Sequence, residues 1–162
     1  MNRSFLPLLI LIQGFGSYGF GEDWPTWRGA QGDGSWEASV SRVLPSAGLS
    51  KHWNAELEPG YSGITVSEGR VFTMDRPAHE KENESERVIC LDATSGDRLW
   101  EYSYPVRYQS LDYGKGPRAS ITIIGELAYG LGAMGDAFCL EAKTGKLVWK
   151  RNLAEEENCK AP

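Results

Sequence analysis

The sequence has few histidines and few recognisable catalytic or metal-binding patterns. It has two histidines, His52 and His79, and neither has a Cys, His or acidic partner at zinc-site spacing, so both are interpreted as structural or exposed. Asp33 stands without the further acidic residues of a calcium loop and is interpreted as a turn residue. No serine lies in a Gly-x-Ser-x-Gly segment, which removes one common signal of a hydrolase nucleophile.

The sequence also has fewer basic than acidic residues, and its apolar runs are short. Lys and Arg number 17 against 22 Asp and Glu, and the resulting net charge of −5 argues against nucleic-acid binding. The apolar run Phe5–Ile12 is too short to span a bilayer. With Arg3 before it and Gly19–Gly21 after it, this run predicts a signal peptide over residues 1–21, and an uncleaved anchor is the alternative. We expect a periplasmic or secreted protein with no membrane span after signal removal.

What the sequence does contain is an internal repeat. The segment Cys90–Trp100, CLDATSGDRLW, returns 49 residues further on as Cys139–Trp149, CLEAKTGKLVW. Another tryptophan, Trp53, precedes Trp100 by a similar interval. A period of about 40–50 residues is typical of repeat folds and outweighs any local motif.

Each copy of the repeat predicts two strands joined by a tight turn. In the first copy, the apolar runs Val88–Leu91 and Leu99–Tyr102 flank Asp92 and Ser95-Gly96, which are turn-forming residues. The second copy has Glu141 and Thr144-Gly145 at the same places. A further strand pair precedes each copy: Gly63–Val66 with Arg70–Met74, and Ser120–Ile123 with Leu127–Tyr129. The first copy also carries about eight extra residues, Pro77–Glu86, predicted to be a charged, solvated loop.

Four short strands and one tryptophan per repeat indicate an all-β fold made of β-propeller blades, each a four-stranded antiparallel sheet. Apolar periodicity of helical type is missing beyond the N-terminus, and a β-sandwich would not repeat its turns and tryptophans at one spacing. The length allows about two blades plus a closing strand, whereas closed propellers have about 4–8 blades. We therefore expect a fragment of a larger propeller.

The predicted organisation has six parts. They are a signal peptide (1–21), an N-terminal segment with a ring-closing strand around Leu49–Leu57 (22–60), a blade (61–104), an inter-blade loop (105–119), a second blade (120–153) and a polar tail (154–162).

The repeat motif resembles the tryptophan-docking repeat of PQQ-like, quinoprotein-type propellers. This superfamily includes quinoprotein alcohol dehydrogenases and the outer-membrane assembly scaffold lipoprotein. The resemblance implies that Trp100 and Trp149 dock onto the neighbouring blade and that Gly96 and Gly145 are the turn glycines. Asp92 matches the acidic turn position and Glu141 departs from it conservatively, while both copies have cysteine where small residues are usual. The opening Asp23–Gly29, DWPTWRG, is similar to the start of secreted bacterial members, so the resemblance covers about residues 23–153.

The cysteines do not predict a disulfide within the blades. Cys90 and Cys139 hold the same position in adjacent repeats, and packed sheets lie about 10 Å apart whereas a disulfide needs Cα atoms within about 7 Å. Both are interpreted as small buried hydrophobic residues. Cys159, in the polar tail, is either an odd thiol or the partner of a cysteine beyond this sequence.

The segment Gly130–Gly135 matches G-x-G-x-x-G, but the dinucleotide fingerprint requires a following helix, and a strand and turn follow here. The better candidate for a site is the long link Tyr104–Ser120. Its cations and aromatic residues suit an anionic or polyol ligand. They are Arg107, Tyr108, Asp112, Tyr113, Lys115 and Arg118. The alternative is that Arg–Asp pairs brace a long loop.

Two functions from different classes remain open. The first is a periplasmic or secreted scaffold that binds other proteins or a small polar ligand through a propeller face, without catalysis or a cofactor in this chain. The second is a fragment of a PQQ-dependent dehydrogenase. In the resembling family, that chemistry uses PQQ with calcium, a catalytic aspartate, a tryptophan floor and often a vicinal disulfide. No Cys-Cys pair occurs in this sequence.

Overall fold

The computed structural model describes residues 23–36, 43, 45–77, 84–109, 111 and 114–156. The predictions for residues 1–21, His79, Asp112, Tyr113 and Cys159 therefore concern positions outside these ranges. Within them, no helix has the length and apolar character needed to cross a membrane.

Eight strands form two four-stranded antiparallel sheets that follow one another along the chain. The first sheet contains, in spatial order, β1 (Thr65–Ser67), β2 (Arg70–Asp75), β3 (Ser85–Asp92) and β4 (Arg98–Pro105). The second contains β5 (Thr122–Ile124), β6 (Leu127–Leu131), β7 (Asp136–Glu141) and β8 (Leu147–Asn152), followed by a helical turn, α1 (Leu153–Glu156). The predicted fold class, antiparallel four-stranded blades with one blade per repeat, is confirmed.

The repeated turns owe their shape to the acidic residue that opens them. Asp92 accepts hydrogen bonds on Oδ1 from the backbone N–H groups of Ser95 (2.9 Å) and Thr94 (2.8 Å), and these bonds hold the pKa of Asp92 below its usual value. The longer Glu141 accepts instead from the Thr144 hydroxyl at 2.7 Å. The turn of the second copy is thus closed by a hydrogen bond from a side-chain hydroxyl, whereas that of the first copy is closed by backbone N–H groups, because glutamate is one carbon longer than aspartate.

A shared apolar core lies between the two sheets. Phe138 of the second sheet packs against Tyr102 and Tyr104 of the first, with ring centroids 5.7 and 5.4 Å apart. Cys90 and Cys139 are free and fully buried, which confirms their interpretation as hydrophobic residues. Burial raises the pKa of the Cys90 thiol to about 12, since the thiolate would lose its solvation.

An N-terminal segment crosses the inner edges of both sheets; we call residues 23–29 the inner strap. Trp24 exchanges two backbone hydrogen bonds with Val66 of β1, at 2.8 and 3.0 Å. The next residue, Pro25, accepts a hydrogen bond from the N–H of Ile123 in β5 at 2.8 Å. The strap therefore satisfies backbone groups on two strand edges that would otherwise be open.

One sequence prediction is wrong. The prediction of a charged, solvated loop over Pro77–Glu86 fails at its C-terminal end, where Ser85 and Glu86 belong to β3 and the Glu86 side chain is fully buried, while residues 78–83 lie outside the described ranges. The physical reason is that Glu86 lies on the same side of the strand as Val88 and Cys90, and that side faces the core.

Candidate functional site

The long link between the sheets and the start of β3 form one continuous surface, which we call the linker face: Arg76, residues 84–86 and residues 105–119, where described. The ends of β2 and β4 bring these segments together. Val106 donates its N–H to the carbonyl of Glu84 at 2.9 Å, and Tyr61 donates to the carbonyl of Pro117 at 2.9 Å.

Glu84 forms ion pairs with two cations of the linker face. Its Oε1 lies 2.6 Å from Nζ of Lys115 and 2.9 Å from Nη2 of Arg76, and its side chain is only 11% exposed. The hydrogen bond from Lys115, and then that from Arg76, lowers the pKa of Glu84. Lys115, a predicted ligand residue, is thus already paired within the chain.

Tyr108 lies next to the same cations. Its ring centroid is 5.2 Å from the Arg76 guanidinium and 5.6 Å from Lys115 Nζ, both within cation–π range. Its hydroxyl donates to Oε1 of Glu86 at 2.8 Å. Burial, and then the negative charge of Glu86, raises the pKa of Tyr108 well above its ordinary value.

Glu86 is a buried carboxylate held by neutral donors. Besides the Tyr108 hydroxyl, it accepts from the Tyr104 hydroxyl at 2.5 Å and from the Ala133 N–H of the second sheet at 3.2 Å to each oxygen. Gly132 permits this approach, because a Cβ there would lie 2.5 Å from Glu86 Oε2. The glycines of the G-x-G-x-x-G segment therefore include one required by inter-sheet packing.

Two predicted ligand residues remain, Arg118 and Arg107, and they differ in their contacts. Arg118 donates to the carbonyls of Gly114 (2.8 Å) and Gly116 (3.3 Å) and lies 5.5 Å from the Tyr61 ring. Arg107 is exposed. The structure thus brings Tyr108 and Lys115 together, places Arg118 against Tyr61, and leaves the role of all three in ligand binding a prediction.

The described residues contain no group of three or more His, Cys, Asp and Glu side chains placed to hold a metal ion.

The tryptophans of the repeat occupy equivalent places on successive turns. Trp100 Nε1 donates to the carbonyl of Ala142 at 3.1 Å, and its ring lies over Gly145. Trp53 Nε1 donates to the carbonyl of Ala93 at 3.0 Å, and its ring lies over Gly96. The segment around Trp53, described from residue 45 to 64, contains no strand, so its part in ring closure stays a prediction.

Trp149, the third member of the series, contacts Tyr129 with ring centroids 6.3 Å apart and is 41% exposed.

Sequence reasoning included Tyr104 and Glu86 only as ends of the link and of the charged loop, without a role for either side chain, and it missed Arg76. The signal that could have found Glu86 is the alternation of β3, in which Glu86, Val88 and Cys90 share one face. The pairing of Glu84 with Lys115 joins residues 31 positions apart, and no local sequence pattern predicts it.

Comparison with known proteins places this geometry among related folds. The family model described as outer membrane protein assembly factor BamB matches residues 29–161. Among solved structures, quinohemoprotein alcohol dehydrogenase from Comamonas testosteroni is similar at 20% identity and a TM-score of 0.50, over 82% of this chain and 20% of that one. BamB from Moraxella catarrhalis is similar at 19% identity and a TM-score of 0.43, over 63% of this chain and 27% of that one.

The chain thus spans about a quarter or less of the length of these two solved structures. No curated protein matches it. At 20% identity, the likeness to the dehydrogenase shows a common fold.

Proposed function

The chain belongs to the PQQ-like repeat family whose model is described as outer membrane protein assembly factor BamB, and from that premise we propose that it is part of an extracytoplasmic propeller that acts as a protein-binding scaffold. The linker face is the proposed contact surface. Its partners are other proteins of the cell envelope, and no cofactor takes part. The extracytoplasmic location is proposed from the signal-like residues 1–21 and from the family.

The observation that carries this proposal is the bracing of the linker face by its own charges and rings. Glu84 holds Arg76 and Lys115, and both cations lie against Tyr108. A link fixed in this way loses little conformational entropy when a partner docks, so more of the contact energy contributes to affinity.

The exposed cations of the linker face favour an acidic protein partner. Arg107 and Arg118 are exposed, and Lys115 keeps 45% of its side chain accessible although it is paired, whereas Glu84 is largely covered. A protein surface rich in Asp and Glu is the complementary partner. Such a contact associates faster at low ionic strength, because the attraction of exposed charges is screened over about 8–10 Å at physiological salt.

The test is site-directed photocrosslinking in the native host. A photoreactive amino acid at position 107 of the full-length protein is expected to give a discrete crosslinked protein, identified by mass spectrometry. The same group at Arg98 is the matched control, because Arg98 is also an exposed arginine but pairs with Glu101 at the opposite end of β4.

Two outcomes would contradict the scaffold proposal. One is the absence of a product specific to position 107. The other is saturable uptake of PQQ by the purified full-length protein in the presence of calcium, which would favour the dehydrogenase alternative. Envelope fractionation tests the location separately.

A further inference from the structure

A second concave site lies between the sheets on the opposite side from the linker face; we call it the turn-face cavity. Its volume is about 340 Å³, and its walls come from the β1–β2, β5–β6 and β7–β8 turns. This volume lies at the lower end of the range of small-molecule sites. All the residues that line it belong to these two sheets or to their turns, and all are among the described residues.

Arg70 is the charged group that distinguishes this cavity. Its Nη1 donates to the carbonyl of Glu68 at 3.2 Å, which is the one side-chain hydrogen bond that Arg70 makes among the described residues. The Glu68 carboxylate lies 4.0 Å away on a side chain that is 78% exposed, so this ion pair is weak. Arg70 Nε is buried and makes no hydrogen bond with any described residue, which is also true of Arg76 Nε. Asp92 also acts on this guanidinium, but its carboxylate is bonded to the N–H groups of its own turn.

Two other arginines, one in β3 and one just after β2, each pair with a carboxylate. Arg87 makes a bidentate pair with Asp75, at 2.9 and 2.8 Å, and Arg76 pairs with Glu84. Arg70 retains most of its donors although only 24% of its side chain is exposed. A half-buried guanidinium with unused donors suits a planar anion such as a carboxylate.

Apolar side chains and acidic groups define the rest of the ligand. Phe72, Ile123 and Leu127 line the cavity, which favours an aliphatic or aromatic body. Glu68, Glu126 and Glu141 also line it and outnumber the cations Arg70 and Lys143. These carboxylates repel an anionic ligand, and the repulsion weakens the binding of a doubly charged anion more than that of a singly charged one.

We propose that the turn-face cavity binds a small monocarboxylate with an apolar body, with the carboxylate on Arg70 and the body against Ile123 and Leu127. This site is independent of the linker face and of the scaffold function. A ligand bound here contacts both blades and so stabilises their junction.

The test is methyl NMR on the full-length protein with labelled Ile and Leu, using 3-phenylpropionate as the probe. We expect saturable shifts at Ile123 and Leu127 with millimolar affinity, the order expected for a ligand of this size at an ordinary ligand efficiency. The matched amide, 3-phenylpropionamide, is expected to bind at least about tenfold more weakly, because it lacks the charge.

Three variants complete the design. Arg70→Gln is expected to weaken 3-phenylpropionate binding at least about tenfold, whereas Arg98→Gln leaves it unchanged. Glu126→Gln is expected to improve binding of the dianion phenyl phosphate relative to the carboxylate, and this readout does not depend on Arg70→Gln folding. Equal binding of acid and amide, full affinity in Arg70→Gln, or no shift at Ile123 and Leu127 would each overturn the proposal.

Discussion

Replacing Gly145 with alanine places a methyl group where the Trp100 ring packs. The added Cβ would lie 2.5 Å from the indole, so either the ring or the turn must move. Gly145 also has φ +71°, a backbone conformation that costs a non-glycine residue about 1–2 kcal/mol. Overpacking of a fitted contact adds about 1–3 kcal/mol, so we expect a total loss of about 2–5 kcal/mol.

The substitution Gly125→Ala separates the backbone cost from the cost of the steric clash. Gly125 lies in the β5–β6 turn of the same sheet with φ +58°, and nothing lies within 4 Å of a Cβ built there. Gly125→Ala should therefore show the backbone cost alone, about 1–2 kcal/mol. The assay is urea unfolding of both variants, comparing midpoints at unchanged slope.

A double-mutant cycle identifies the partner. In a Trp100→Ala background the clash is gone, so Gly145→Ala should cost no more than Gly125→Ala, with a coupling energy of about 1–3 kcal/mol. If Gly145→Ala and Gly125→Ala cost the same in the wild-type background, the packing of Trp100 over the turn contributes nothing and the reasoning is refuted.

Three further predictions concern buried groups. Asp75→Asn should destabilise the fold by about 3 kcal/mol in urea unfolding because it breaks a buried bidentate ion pair, while Glu101→Gln, which removes an exposed contact of the same arginine, should cost less than about 1 kcal/mol. Cys90 and Cys139 should stay unmodified by iodoacetamide at pH 8 in the native protein and react in denaturant, as read by peptide mass spectrometry; native-state labelling would show that the core opens. The raised pKa of Tyr108 means that the folded protein keeps a proton that the unfolded chain releases near pH 10, so stability should be full below about pH 10 and fall above it. Tyr108→Phe should lessen that fall, and an unchanged pH profile would contradict the assignment.

The fold could be predicted from the sequence because its determinants are local and repeated. Asp92 and Ser95-Gly96 specify a turn within a few residues, and the return of the pattern at Cys139–Trp149 identifies the unit. The Glu141 turn shows the limit, since its altered hydrogen bonding depends on side-chain length that the repeat pattern does not describe.

The candidate site was predictable only in part, because its contacts join distant segments. A run of charges before β3 is typical of solvated loops, yet Glu86 is buried against tyrosines from β4 and the link. The link was identified by its composition, but composition does not tell a ligand-binding Lys115 from one that pairs with Glu84. Long-range pairing decides between them, and only the structure supplies it.

The inner strap has a consequence for the order in which the chain matures. Its partners lie far along the sequence: Asp23 bonds Ser67, 44 residues away, and Thr26 bonds Thr122, 96 residues away. Closing loops of this length costs more conformational entropy than forming the hairpins within each sheet, so the contacts of the strap are expected to form after those hairpins. The inner strap is therefore among the last segments to be secured, and the edges of β1 and β5 are open to foreign strands until it docks.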